Sequence, residues 1–212
     1  MKFNFMKDDS KFMKILSKIV DSLILTIIFL ISCIPVITIG DAFTSFYYAS
    51  VKVIKRSRGY MFKSYIKSFK ENFVLSTLCW LVILVIYAIS LGGAFVVFRL
   101  KDMCGPVISV ILIAIYIAIF LFVFCAGTFL FPAISRYKMD VKNALKLALI
   151  MTLSHPKESI LSFLLTAVFT ILMVFSFLRF VLLIFILPEF YILLLSGITE
   201  KMLIEYIENV SE

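Results

Sequence analysis

Four stretches of this chain carry no charged residue over a length that matches a bilayer: Ser22 to Gly40, Phe73 to Phe98, Met103 to Ser135 and Ser159 to Leu178. A fifth, Phe180 to Thr199, is interrupted only by Pro188 and Glu189. A helix rising 1.5 Å per residue needs about 20 apolar residues to cross the hydrocarbon, so these runs predict membrane segments. The runs are continuous rather than alternating, which is the helical and not the barrel signature. Composition agrees, because 63% hydrophobic residues, 23 Phe and a mean hydropathy of +1.11 exceed what a 212-residue soluble domain can bury. The expected fold is all-α: one integral membrane domain over residues 1–212, a polytopic helix bundle of five to six membrane segments.

A net charge of +8 could signal nucleic acid, but Lys and Arg sit beside the apolar runs rather than in one detachable block. That placement fits a membrane surface, with the lipid bilayer as partner and no nucleic acid. Cys33, Cys79, Cys104 and Cys125 lie in or beside the apolar runs with no CxxC pair, so they read as packing residues.

The stretch "SCIPVITIGDAFTSFYY" from Ser32 to Tyr48 decides the topology. If Ile15 to Gly40 were a single crossing and the chain then stayed outside until Phe73, the basic residues would divide almost evenly between the two faces. If the chain instead turns at Pro35 to Asp41 and returns through Ala42 to Ile54, every Lys and Arg except Arg99, Lys101 and Arg179 falls on one side. The positive-inside rule favours the second path, with both termini at the cytoplasmic face of a bacterial cell membrane. The first two segments then form a Pro/Gly-broken hairpin, bent inside or near the outer leaflet. Pro35 lacks an amide proton, Gly40 tolerates backbone angles closed to other residues, and Asp41 can cap the returning helix. That helix either crosses fully or forms one arm of a re-entrant hairpin.

Two amphipathic inner-face helices are expected next. In "GYMFKSYIKSFKENF", Phe62, Tyr65, Ile66, Phe69 and Phe73 recur at helical spacing with Lys63, Lys67 and Lys70 between them. In Met139–Leu153, Val141, Ala144, Leu145 and Leu149 share a face opposite Asp140, Lys142, Asn143 and Lys146. The recurrence of membrane run, surface helix and membrane run suggests an internal repeat, about 20–98 and 106–178.

Intramembrane charge is the best general pointer to function, since a carboxylate near mid-bilayer costs roughly 3 kcal/mol on insertion scales. The candidates are Asp21, which Lys18 could neutralise, and Asp41, Arg179 and Glu189. Pro188 and Glu189 fall within the last apolar run, where a broken helix beside an acid would build a solute or ion site. The alternative is an inward-facing acid paired with Arg179 or a tyrosine hydroxyl. His155, the only histidine, lies in a predicted turn, so neither a zinc site nor a catalytic triad is expected, and no cofactor or catalytic residue is assigned. "TIGDAF" has Thr38 where the GxGD motif of intramembrane aspartyl proteases has its first Gly, and "LISC" before Pro35 is a poor lipobox.

The segments "SCIPVITIGDAFTSFYYASVKVIK", "GYMFKSYIKSFKENF" and "NALKLALIMTLSHPKESIL" together resemble the YesL-like family, a bacterial membrane domain of unknown function. The resemblance implies a multi-helix membrane protein of Gram-positive bacteria, encoded beside carbohydrate uptake systems, and carries over no catalytic residue. Two functions are expected from it and from the residues. One is a non-enzymatic accessory protein of a carbohydrate ABC transporter, docking permease or ATPase subunits through the two inner-face helices. The other is a small solute transporter or channel, formed by the chain alone or as a homo-oligomer, that uses the breaks near Asp41 and Glu189.

Overall fold

The computed structural model describes residues 5–55, 60–101, 105–179 and 185–211, with side chains described over 18–53, 60–101, 105–176 and 185–206. These residues form seven α-helices and, among them, no strand. In chain order they are α1 (Phe5–Ser32), α2 (Ile39–Ser50), α3 (Met61–Arg99), α4 (Pro106–Arg136), α5 (Val141–Ser154), α6 (Pro156–Arg179) and α7 (Leu187–Ser211). Three of them, α3, α4 and α6, are long and apolar enough to cross a membrane, which marks the chain as a membrane protein.

The chain does double back after α1. Pro35 is extended (φ −76°, ψ 119°) and opens a single 3₁₀ turn, Val36–Thr38, before α2 begins. The Thr38 hydroxyl lies 2.7 Å from the Ser32 carbonyl and 2.8 Å from that of Pro35, so it serves the last carbonyl of α1 as well as the turn that follows. From the turn outward, α1 and α2 pair antiparallel: Phe29 stacks on Phe46 at 4.6 Å, and Leu25 shares a core with Ala49 and Val51.

α2 is the centre of the bundle. Every residue of it except Ile39, Phe43 and Tyr48 is buried, and it packs chiefly against α3 and α4. In a bilayer, lipid is as apolar as leucine, so helices associate through close packing and polar contacts rather than by escaping water. Gly40 supplies the close approach. A Cβ there would stand 2.6 Å from the Cβ of Trp80 and 2.9 Å from the Ser76 carbonyl. Gly40 is thus needed for its missing side chain within a helix, not for an unusual backbone angle as the sequence suggested.

α3 and α4 form a long hairpin held by Tyr87 against Phe120 (4.7 Å) and by Tyr116 seated over Gly93, where a Cβ would fall 2.5 Å from the ring. Its outer faces expose Val85, Ile89, Phe95, Val107, Ile111 and Ile117. α6 runs antiparallel to α4, with Phe163 edge-on to Phe124 and Ser162 3.2 Å from Thr128. α5 and the second half of α7 close the opposite end, where Leu147, Met151, Met202 and Leu203 surround Phe129 and Ala133.

Both surface helices differ from expectation. Met61–Phe73 is not a separate element but the first third of α3, which is 39 residues and about 58 Å long. A rod continuous with a membrane span cannot also lie flat in the interface. Its buried stripe is Met61, Ser64, Tyr65 and Ser68, packed inward, while Phe62 is 59% exposed. α5 likewise buries Ala144, Leu147, Ala148 and Met151 against its own bundle, so its inner face is offset from the one the sequence suggested, and Leu149 is exposed. Lys63, Lys67, Lys142 and Lys146 remain exposed as expected.

Candidate functional site

The polar residues of the interior gather on α2, whose sequence "DAFTSFYYAS" alternates small hydroxyls with aromatics. Asp41 lies in the first turn of α2, not at its cap, which is Thr38. The helix dipole favours a negative charge there. Asp41 is 0% exposed, and among the described residues no group meets full hydrogen-bond geometry with its carboxylate oxygens. Ser76 lies beside it on α3, but its hydroxyl donates to Thr44 Oγ1 at 3.1 Å, and Thr44 in turn donates to the Gly40 carbonyl. Ser45, one turn beyond Asp41, is equally buried and equally unpartnered.

At the other end of α2, Ser50 faces the second acid. Its hydroxyl lies 3.0 Å from Glu189 Oε2 and 2.8 Å from the Phe46 carbonyl, while Glu189 Oε1 has no partner among the described residues. A π-helical turn, Val51–Lys55, follows at once, a distortion often found beside functional groups. Pro188 and Glu189 do not interrupt a helix: they occupy the first turn of α7, where the missing proline amide costs nothing. The partner of Glu189 is therefore a serine on α2, a pairing not expected from sequence. The side chain of Arg179 lies outside the described residues, so its pairing with Glu189 does too.

A third polar group links α2 to the ends of α4 and α7. The Tyr47 hydroxyl lies 2.7 Å from Thr199 Oγ1 and 3.5 Å from Glu200 Oε1, and Glu200 forms an ion pair with Arg136. Neither partner of this pair stood out in the sequence. Arg136 ends one apolar run, and Glu200 lies 64 positions away on a helix that the run itself does not position.

Arg136 also borders a cleft of about 610 Å³, which lies between the first part of α3 and the link from α4 to α5. Tyr48, Glu71, Asn72, Lys138 and Asp140 line it with Arg136. Tyr137 also lines the cleft; burial holds its phenol above the ordinary value, with Arg136 opposing, so it presents a neutral hydroxyl at physiological pH. The cleft thus combines cations, carboxylates, an amide and two phenols, a mixture suited to a polar partner surface.

His155 ends α5 in the expected turn, where its carbonyl accepts from Ser159 Oγ. Asp21 and Lys18 sit three residues apart on α1, both partly buried. Cys33, Cys79 and Cys125 are free thiols; Cys104 lies outside the described residues. Among the described residues no cluster of His, Cys, Asp and Glu has the makings of a metal centre.

No curated protein and no solved structure matches the chain. The model of a family described as "Protein of unknown function, DUF624" matches residues 23–92, the stretch that builds the α1–α2 hairpin and most of α3. The resemblance read from Pro35–Gly40 and the start of α3 is borne out over this stretch, about one third of the chain, where it is similar to the DUF624 family.

Proposed function

We propose that the chain is a non-enzymatic accessory protein of a bacterial cell membrane that docks a partner at its basic face. The cleft bounded by Glu71, Asn72, Arg136 and Lys138 is the observation that carries this reading. α3 is about 58 Å long against roughly 30 Å of hydrocarbon, so its basic first third extends beyond the bilayer beside α5. The apolar sides of both elements are spent on the protein's own core. Their charged sides, with Lys63, Lys67, Lys142 and Lys146, are left to meet a partner.

The partner class, permease or ATPase subunits of a carbohydrate ABC transporter, comes from the family resemblance. In this arrangement both termini are cytoplasmic, α3, α4 and α6 cross, α7 crosses in part, and α1 with α2 forms a hairpin that enters and leaves on the cytoplasmic side. Photocrosslinking from positions 63, 138 and 142 of the full chain in its native membrane tests the reading. Recovery of transporter subunits is expected; recovery of lipid alone from all three positions would overturn it.

The unpartnered Oε1 of buried Glu189 favours a second reading, a small solute transporter or channel. Proteoliposomes containing the chain should then move solute at a rate that Glu189→Gln alters.

A further inference from the structure

α6 packs chiefly against α4 and α7, and between it and α2 the bundle leaves a groove. One lobe, of about 280 Å³, is lined by Phe29, Phe46, Phe169, Met173, Leu187 and Pro188. A second, of about 190 Å³, lies on the side of α3 and α4, against Trp80, Ile83 and Gly127. Phe43, Thr166 and Tyr191 line both, so the lobes are parted by the Phe43 and Tyr191 rings, whose centroids are 6.2 Å apart. Of the residues lining the larger lobe only Thr170 is exposed, and the face of α6 beside it, with Ile171 and Val174, is the bare apolar surface of a candidate membrane span. At 1.5 Å per residue, Ile83, Gly127 and Thr166 stand about 15 Å along their helices from Phe73, Arg136 and Pro156, where the apolar runs give way to the basic segments. Half of a hydrocarbon core of roughly 30 Å is the same distance, which puts the groove at the middle of the bilayer.

We propose that this groove seats the end of one phospholipid acyl chain, entering sideways from the bilayer between α2 and α6. Packed interiors leave few voids larger than a water molecule, so a groove of this size is a seat rather than a packing defect. Water does not suit it, because an apolar cavity of about 150 Å³ already stays dry and takes up a hydrocarbon instead. The three hydroxyls of the larger lobe have no hydrogen to offer a polar ligand. Thr170 donates to the Thr166 carbonyl at 2.8 Å and Thr166 to the Ser162 carbonyl at 2.7 Å, so at the 3.0 Å contact with Thr166 Oγ1 the Tyr191 phenol is the donor. Among the described residues no charged side chain lines either lobe, which leaves an uncharged apolar chain as the matching species. The lining is continuous with the lipid-facing side of α6, and at mid-depth the species that meets such a mouth is the end of an acyl chain. The inference goes beyond the docking reading: the groove lies within the spans and the cleft at the basic face, and either stands without the other.

Full-length protein is reconstituted in vesicles of phosphatidylglycerol and phosphatidylethanolamine that carry a trace of phosphatidylglycerol with a diazirine near the end of one acyl chain. After irradiation, the modified residues are mapped by mass spectrometry. Phe43, Phe169 and Tyr191 are expected to be labelled, and a diazirine placed next to the headgroup should miss all three. Thr170→Trp puts an indole in the mouth and should abolish labelling of Phe43 and Tyr191, whereas Ile171→Trp, one position on and facing outward, should leave it unchanged. Both positions are exposed, so both variants should fold. Labels confined to the outward residues Val168, Ile171 and Val174 overturn the proposal, as does labelling of Phe43 that survives Thr170→Trp. Labelling of the groove by a diazirine fatty acid but not by the phospholipid assigns it to a free amphiphile and overturns it too. A disulfide between two copies of Thr170→Cys in a cysteine-free background, with the groove unlabelled in the parent, makes the occupant a second copy and has the same result.

Discussion

The indole N–H of Trp80 donates to the carbonyl of Val36 at 2.8 Å, and this bond fixes how far the α1–α2 hairpin climbs along α3. Beyond Trp80, α3 continues to Arg99, about 28 Å farther at 1.5 Å per residue. The hairpin is therefore much shorter than the α3–α4 hairpin beside it. Its tip is also wholly apolar on the outside: Ile31, Ile34, Val36 and Ile37 are each more than half exposed. Such a tip is poorly suited to water and well suited to lipid. On the proposed placement, the bond to Trp80 satisfies a carbonyl that would otherwise face hydrocarbon, as any irregular backbone at that depth requires.

The same contact makes Gly40 the most sensitive position on α2. In Gly40→Ala the new methyl meets the backbone carbonyl of Ser76 and the Cβ of Trp80, neither of which is a flexible side-chain end. Over-packing of this kind costs about 1–3 kcal/mol, and Gly40→Leu should prevent folding. Denaturant titration followed by Trp80 emission measures the loss directly. Gly92→Ala, where the space around the Cβ is open, is the control and should be nearly silent.

The sequence made the helical class, the apolar runs and the turn at Pro35 legible, because each rests on composition or on a local breaker. What it hid were relations across the bundle. Nothing near Phe73 marks a helix end, so the continuity of α3 was masked by a change from amphipathic to apolar pattern within one helix. Asp41 looked like a cap because a polar residue follows a glycine, but the 3₁₀ turn moved the cap to Thr38. Pro188 looked like a break in a span because its run is long, whereas the helix simply begins there. Arg136 and Glu200, like Ser50 and Glu189, are brought together only by the packing of α2, α4 and α7.

Ser50 and Glu189 should be energetically coupled. Ser50→Ala removes the one donor that the described residues place on the Glu189 carboxylate and leaves it buried, at a cost of about 1–3 kcal/mol. Glu189→Gln keeps a group of the same shape and removes the charge, so it should be neutral or stabilising. A double-mutant cycle should return a coupling of about 1 kcal/mol or more, since Ser50→Ala matters less once the charge is gone. Additive effects would mean that the hydroxyl serves only the Phe46 carbonyl.

The Arg136–Glu200 pair is expected to hold the base of the bundle. Their side chains are 19% and 12% exposed, so removing one partner strands a largely desolvated charge. Arg136→Met should cost about 3 kcal/mol, near the lower end of the range for buried pairs because some solvent reaches this one. Changing both residues to an apolar pair should recover most of that loss. Thermal unfolding of the two single variants and the double variant distinguishes a stranded charge, which the double change rescues, from lost packing, which it does not.

The depth of the hairpin can be read chemically. In a cysteine-free background, single cysteines replace Ile37 at the tip, Lys63 near the start of α3 and Lys101 just past its end. On the proposed placement the tip lies inside the hydrocarbon, because α3 still has about 28 Å to run when it passes Trp80. A membrane-impermeant maleimide should then label position 63 from the cytoplasmic face only, position 101 from the opposite face only, and position 37 from neither. Labelling of position 37 from the same face as position 101 would show that α1 and α2 cross the bilayer completely. In that case the exposed isoleucines would have to be covered by another chain, since a bare apolar tip in water is unfavourable by roughly 25 cal/mol for each Å² exposed. Labelling of 37 and 63 from one face would instead lift the whole hairpin out of the membrane, leaving the apolar runs of α1 and α2 without a solvent that suits them.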